Sequence, residues 1–467
     1  MSFLIVVAAL CFLMLVAYRG YSVILFAPIA ALGAVLLTDP QLVAPMFTGL
    51  FMDKMVGFLK LYFPVFLLGA VFGKLIEISG FSKSIVAATI RVVGAKRAML
   101  AIVLVCALLT YGGVSLFVVV FAVYPFAAEL FRQGDIPKRL IPGTIALGAF
   151  TFTMDALPGT PQIQNIIPTT FFKTDTWAAP WLGTLGGIFI LVLGMLYLDW
   201  RRRVALRNGE GYGDAAGLLN EPAAFTGGTL AHPFIALLPL LLVGVSNKLF
   251  TLLIPRVYGT HHAFVPAVIG NPAPVVQEVS KVAAIWAVQG ALLVGILCVI
   301  AFAWKPVVAS FAEGTRSAIG GSLLAAMNTA SEYGFGAVIA ALPGFLVVAQ
   351  GLSAIPDPLV NEAITVSALA GITGSASGGM SIALAAMAET FIANARAAGI
   401  PMEVLHRVAA MASGGMDTLP HNGAVITLLA VTGLTHRQAY KDIFAITLIK
   451  TAAVFFIIAV FYATGWV

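Results

Sequence analysis

Charge is scarce in this chain. Only 10% of its 467 residues are Asp, Glu, Lys or Arg, against about a quarter in soluble domains, so an ordinary globular protein in water is excluded. Cysteine is scarcer still. Cys11, Cys106 and Cys298 all lie in apolar runs without CxxC spacing, which makes them small core hydrophobes and gives no disulfide frame or metal centre to expect. A GxxxxGK[ST] loop is missing, so ATP-driven transport by this chain has no support. Ser377 precedes Gly378-Gly379 and His421 lies further on, but the strained G-x-S-x-G setting of a serine hydrolase is missing, and an enzyme is not expected. No basic stretch stands before the first apolar run, so the N-terminus is expected to be a retained helix and not a signal peptide. No cofactor is implied.

What remains is apolar. A hydrophobic content of 60% and a mean hydropathy of +1.00 describe an all-α polytopic membrane protein. The net charge of +6 sits in short basic clusters between apolar runs, the pattern of positive-inside loops and not of a nucleic-acid surface. Runs 3–17, 22–38 and 57–80 are predicted spans, with 41–54 at the interface. From Ala98 to Phe131 the chain stays apolar around Thr110-Tyr111-Gly112-Gly113, with Lys96 and Arg97 before it and Arg132, Lys138 and Arg139 after it. One helix of that length would be about 50 Å, too long for a core of roughly 30 Å. Basic residues at both ends also favour a re-entrant hairpin over 98–131 whose feet share one side. A span at 180–198 leads to Arg201-Arg202-Arg203, the firmest cytoplasmic marker, and 204–232 reads as a cytoplasmic linker. The second half has runs at 233–254, 282–304, 318–351 and 443–465, with a hairpin predicted at 364–395.

One pattern is written twice. Met154-Asp155-Ala156-Leu157-Pro158 and Met416-Asp417-Thr418-Leu419-Pro420 lie 262 residues apart, each within apolar sequence. An acid beside a helix breaker is tolerated at membrane depth where the backbone lines a polar cavity. Duplicated interruptions of this kind point to a transporter's binding site. Broken helices are therefore predicted at 140–172 and 408–433. Gly80-Phe81 answers Gly344-Phe345 and Gly112-Gly113-Val114-Ser115 answers Gly378-Gly379-Met380-Ser381 at nearly the same offset, which marks a repeat. Counting spans from the Arg201 cluster places the second hairpin's feet outside. The prediction is an inverted repeat, 1–203 against 233–467, each half with about five transmembrane helices and one re-entrant hairpin.

Candidate binding residues follow from that plan. The tips carry Thr110, Tyr111, Gly112, Gly113 and Ser115 in one half and Ser375, Ser377, Gly378, Gly379 and Ser381 in the other. Glycine lets backbone approach a ligand, and the arm after each tip offers free N–H groups to a small carboxylate. Packing is the plain alternative for Ser and Gly in apolar helices. Gly159 and Thr160 follow the first break, and Thr418, His421 and Asn422 belong to the second. Asp155 and Asp417 suit either proton coupling or capping of the following half-helix. His421 titrates in the physiological range, and Glu332 is an acid inside an apolar run, so both join the proton-coupling candidates. Lys450, deep in the last span, is expected to pair with an acid. His261 and His262 have no further ligands at metal spacing, so no metal is expected.

The hairpin Gly112-Gly113-Val114-Ser115, the stretch from Met416 to Val425 with its P-H-N-G-A-V segment, and Thr435-His436-Arg437-Gln438-Ala439-Tyr440-Lys441-Asp442 resemble the gluconate permease (GntP) family of the ion transporter superfamily, over essentially the whole chain. The resemblance implies proton-coupled import of a small hydroxy-carboxylate such as gluconate or 3-hydroxybutyrate across a bacterial inner (plasma) membrane, by a homodimer. A cation/proton antiporter is the alternative, since paired acids and broken helices fit it as well. Protons or sodium as the coupling ion stays open.

Overall fold

In a computed structural model the chain is described over residues 2–19, 21–94, 97–114, 116–213, 219–222, 230–265, 273–353, 355–420 and 422–467. Two expected site residues, Ser115 and His421, lie outside the described residues, as do 214–218 and 223–229 of the linker. The chain is an all-α polytopic membrane protein: six of its described helices are long and apolar enough to cross a bilayer. A two-stranded ribbon, His261–Phe264 paired antiparallel with Val275–Glu278, interrupts the all-helical pattern between two spans.

Helices α1 (Ser2–Tyr18) and α2 (Val23–Thr38) match the first two runs. The third is longer than the sequence suggests. Residues 41–54, expected at the interface, are part of one helical run, α3 (Pro40–Ile78, 39 residues). Asp39 caps its start by accepting the Gln41 N–H at 3.1 Å, and a π-turn at Phe47–Phe51 carries the helix through the polar stretch. Phe51 is buried because Gly334 leaves room for it: a Cβ there would lie 2.9 Å from the Phe51 carbonyl oxygen. Phe81–Val93 is α4.

The predicted hairpins and breaks are present as helical elements. Helices α5 (Ala98–Tyr111) and α6 (Leu116–Gln133) form the first hairpin. The first broken helix is α7 (Ile141–Ala149), one turn α8 (Phe152–Asp155), and α9 (Ile163–Phe172). Helix α10 (Pro180–Arg207) runs past 203, so the linker begins later than expected. Helices α11 (Pro233–Tyr258), α12 (Ala283–Phe302), α13 (Trp304–Ala341) and α14 (Pro343–Ser353) follow. Helix α13 starts well before residue 318, because Lys305, Glu313 and Arg316 lower hydropathy yet are good helix formers. The second hairpin is α15 (Pro358–Thr373) and α16 (Ala376–Ala397); it starts at a proline in the first turn, ahead of residue 364. The second broken helix is α17 (Met402–Ser413) and α18 (Gly423–Thr432), and α19 (His436–Thr464) ends the chain.

The same order of elements recurs, with α13 starting 264 positions after α3. Helix α13 lies along α3, and α2, α11 and α12 complete that side of the molecule. The hairpins, the broken helices, α10 and α19 form the other side. The two broken helices run antiparallel. The end of α9 meets the start of α17, where Thr174 Oγ1 and His406 Nδ1 are 2.6 Å apart. The start of α7 meets the segment after α18, where Arg139 donates to Asp442 at 3.3 Å. The hairpins enter from opposite ends as well: the foot of α15 is tied by Asp357 to Tyr462 near the end of α19, whereas the feet of the first hairpin lie with Tyr212 and Glu221.

A polar clasp closes the end that holds the Arg201 cluster. Arg139 donates twice to Glu210, at 2.6 and 2.7 Å, and holds its carboxyl below the usual range. Lys138 is buried and donates to Leu219 O at 2.6 Å, with Glu221 2.7 Å away. Burial alone would raise the Glu221 pKa, but hydrogen bonds from Lys138 and Arg132 outweigh it and hold it low.

Candidate functional site

Residues 156–162 leave helical geometry after Asp155, because Pro158 and Pro161 cannot donate. Each freed backbone group must find another partner at membrane depth. Tyr111 of the first tip donates to Pro158 O at 2.7 Å, and Gln162 donates back to Thr110 O at 2.7 Å. Thr160 Oγ1 donates to Thr153 O at 2.8 Å. Asn165 bridges Thr160 O and Thr176 O, at 3.0 and 2.8 Å. Asn247, from α11, donates to Gly159 O at 3.0 Å. Gly159 has φ +79°, and a Cβ on it would lie 2.5 Å from the Trp177 ring; both facts require glycine.

The strongest clamp comes from the other half. Arg407, fully buried in α17, donates to Asp155 O and Asn165 Oδ1 at 3.0 Å each, and twice to Ala178 O at 3.2 and 2.7 Å. His406 beside it is 3.2 Å from Asn165 Oδ1 through Nε2.

The second break, 414–422, is held mainly from α19: Thr451 donates to Gly415 O at 2.8 Å, Tyr440 donates to Thr418 O at 3.2 Å, and His436 Nε2 lies 2.9 Å from Pro420 O. Lys450, buried in α19, donates to Asp417 Oδ1 at 2.6 Å and to Phe150 O, at the end of α7, at 2.9 Å. The expected acid partner of Lys450 is therefore Asp417, and one ammonium ties the two breaks together. Thr418 and Thr447 share a short hydroxyl contact. Asn422 caps α18 by accepting from Ala424 and Val425 N–H at 2.6 and 3.1 Å, and donates to Gly374 O of the second tip at 2.7 Å. Each break is thus fastened to the hairpin of its own half.

Asp155 completes the centre. Its Oδ2 lies against Gly414, where a Cβ would be 1.9 Å away. Lys450, Asp417 and Arg407 all act on it electrostatically. Yet the hydrogen bonds of Arg407 go to carbonyls and Asn165, those of Lys450 go to Asp417 and Phe150, and buried Asp155 Oδ1 has no partner among the described residues.

The tips turn at Gly113 (φ +97°) and Gly374 (φ +65°). Ser375 Oγ accepts from Gly378 N–H at 3.0 Å and also reaches Glu332. Glu332 of α13 is wedged against the second tip: a Cβ on Gly378 would lie 1.7 Å from its Oε2, an oxygen without a partner among the described residues. Ser377 and Thr329 hydroxyls are 3.2 Å apart, and buried Thr110 Oγ1 and Ser381 Oγ are unpartnered among the described residues. Gly112 and Gly379 serve close packing here, against Leu240 and the Ala370 backbone.

Sequence reasoning missed Arg407, His406, Asn165 and Asn247, which hold the first break, and Glu362, which is fully buried in α15 with neither carboxyl oxygen partnered among the described residues. The signal for Arg407 was a His-Arg pair directly before an apolar run, which reads as the edge of a loop.

The chain is similar to known proteins both in sequence and in fold. The chain is 60% identical over 475 residues, covering all of both chains, to the uncharacterized transporter YxjC of Bacillus subtilis. Its fold is similar to that of the Alcanivorax borkumensis YdaH transporter, whose crystal structure has an unusual topology, with a TM-score of 0.52 over 92% of this chain and 90% of that one at 16% identity. No protein-family model matches. At such identity over the full length, the chain belongs to the family of the Bacillus subtilis transporter YxjC.

Proposed function

We propose that the protein is a secondary active transporter that imports a small hydroxy-carboxylate with protons. The observation that carries this reading is the unpartnered, buried Asp155 Oδ1 beside the Asp417–Lys450 pair. A buried ionised carboxylate with one oxygen left without a hydrogen bond is costly, and a proton bound there removes that cost. Loading and unloading that proton changes the charge at the point where both breaks meet, which is the requirement for coupling. Glu332, pressed against the second tip, is a second proton carrier at the seam between α13 and the hairpin. Protons rather than sodium fit a carboxyl that is already enclosed by Gly414.

The resemblance to gluconate permeases supports a carboxylate substrate, with gluconate and 3-hydroxybutyrate as the compounds to test. The hydroxyls of Thr110 and Ser381, unpartnered among the described residues, supply donors to it, with Ser377 beside Thr329 as a third. In this reading both hairpins are re-entrant and move with the broken helices against a scaffold of α2, α3, α11, α12 and α13. The halves are 1–203 and 233–467, and two copies pair in a bacterial inner (plasma) membrane. The same paired acids would serve a cation/proton antiporter. Uptake into proteoliposomes under separately imposed pH and sodium gradients, over a panel of labelled carboxylates, decides between them. Carboxylate accumulation driven by the pH gradient is expected; sodium exchanged for protons with no carboxylate uptake would replace it with the antiporter.

A further inference from the structure

A cleft of about 610 Å³ opens at the end of the molecule away from the Arg201 cluster, between the α9–α10 connection, the end of α11 and the β-ribbon. Lys248 lines it. This lysine is exposed on α11, a helix long and apolar enough to cross a bilayer. A lysine facing hydrocarbon there would be costly, and the cleft gives its ammonium water. Among the described residues no carboxylate is within ion-pair distance of Lys248; its ammonium stands 4.8 Å from the centre of the Trp177 ring. The other lysine of the cleft, Lys173, is 3.7 Å from Glu278 and is thereby partly neutralised.

Trp177 lines this cleft and packs against the first break. Its ring occupies the space that Gly159 leaves by lacking a Cβ, and its indole N–H is buried with no partner among the described residues. Asn247, next to Lys248, bonds Gly159 O and Thr176 Oγ1. Trp177, which lines the cleft, is therefore also in contact with the first break at Gly159. Thr251, Thr260 and Ser280 add hydroxyls to the wall, and Asp175, which accepts the Trp177 backbone N–H at 2.7 Å, and Glu403 add carboxylates, neither within ion-pair distance of Lys248 among the described residues.

We propose that this cleft is an outer loading site for the anionic substrate, in which Lys248 takes the carboxylate, the wall hydroxyls take a substrate hydroxyl, and Trp177 closes the passage to the first break. Cation–π attraction holds Lys248 on the ring while the cleft is empty. An arriving carboxylate is the stronger partner, and Lys248 leaves the ring for it. The assignment to import rests on the transport reading above; the binding step does not.

Titration of the detergent-solubilised full chain with 3-hydroxybutyrate and with gluconate, read by tryptophan fluorescence, tests it. The wild type should respond, Trp177→Phe should lose the response, and Lys248→Gln should need about tenfold more ligand, with Lys248→Arg close to wild type. An unchanged midpoint in Lys248→Gln, a full response in Trp177→Phe, or no response in the wild type overturns the site. Lys248-dependent binding without uptake would sustain the cleft and end the transport reading. Uptake without such binding would do the reverse.

Discussion

The two breaks share a sequence motif and differ in how they are held. The first is clamped from three directions: by Tyr111 and Gln162 through its own hairpin, by Asn247 from α11, and by Arg407 from the opposite half. The second is held chiefly by one helix, α19, through Lys450, Thr451, Tyr440 and His436, and by its own hairpin through Asn422, which also caps α18. The acids are arranged the other way round. Asp155, in the break held from several elements of both halves, has the free oxygen, whereas Asp417, in the break held by α19 and its own hairpin, has the ion pair. The acid with the free oxygen thus belongs to the break held across both halves, and the ion-paired acid to the break held mainly by one helix.

The largest expected effect breaks that contrast outright. Arg407→Ala leaves Asp155 O, Ala178 O and Asn165 Oδ1 short of a buried charged donor, a loss of about 3–5 kcal/mol that thermal melting of the purified protein should register. Arg407→Lys should recover only part of it, because one ammonium cannot replace a fork that reaches three acceptors. Gly414→Ala comes next. Its Cβ would meet Asp155 Oδ2 at 1.9 Å, whereas at Gly423 nothing lies within 4 Å. A cost of about 1–3 kcal/mol is expected for the first and none for Gly423→Ala; equal melting points would refute the close contact between the breaks. Asn422→Ala removes a helix cap and should cost about 1 kcal/mol, less than any change at Arg407.

The smallest effect lies in the polar clasp, away from both breaks. Folding lowers the pKa values of Glu210 and Glu221. Their stabilising contribution is therefore complete above the ordinary carboxylate range and fades as pH falls through the lowered values. Glu221→Gln should flatten this acid limb of a melting-point profile by about 1 kcal/mol or less, since partly exposed pairs are weak.

Both breaks were legible because an acid next to a proline in apolar sequence admits few other readings. The hairpins were legible for a similar reason: Gly112-Gly113 interrupts a run too long for one span and flanked by base at both ends. Helix limits were less so. Thr48, Gly49, Asp53 and Lys54 lower the hydropathy of α3 without breaking it, and hydropathy alone cannot separate an interfacial stretch from a helix that continues past the bilayer. The clamp on the first break was not legible at all. Arg407 and Asn247 come from elements far from the break in sequence, and only folding brings their donors to the carbonyls of Asp155 and Gly159.

The most direct test of the central idea is Asp155→Asn in proteoliposomes, comparing pH-gradient-driven accumulation of a labelled carboxylate with its exchange between equal concentrations on both sides. Accumulation should disappear while exchange persists, because asparagine keeps the shape of the side chain and cannot carry the proton. Accumulation at the wild-type level would contradict Asp155 as the coupling group.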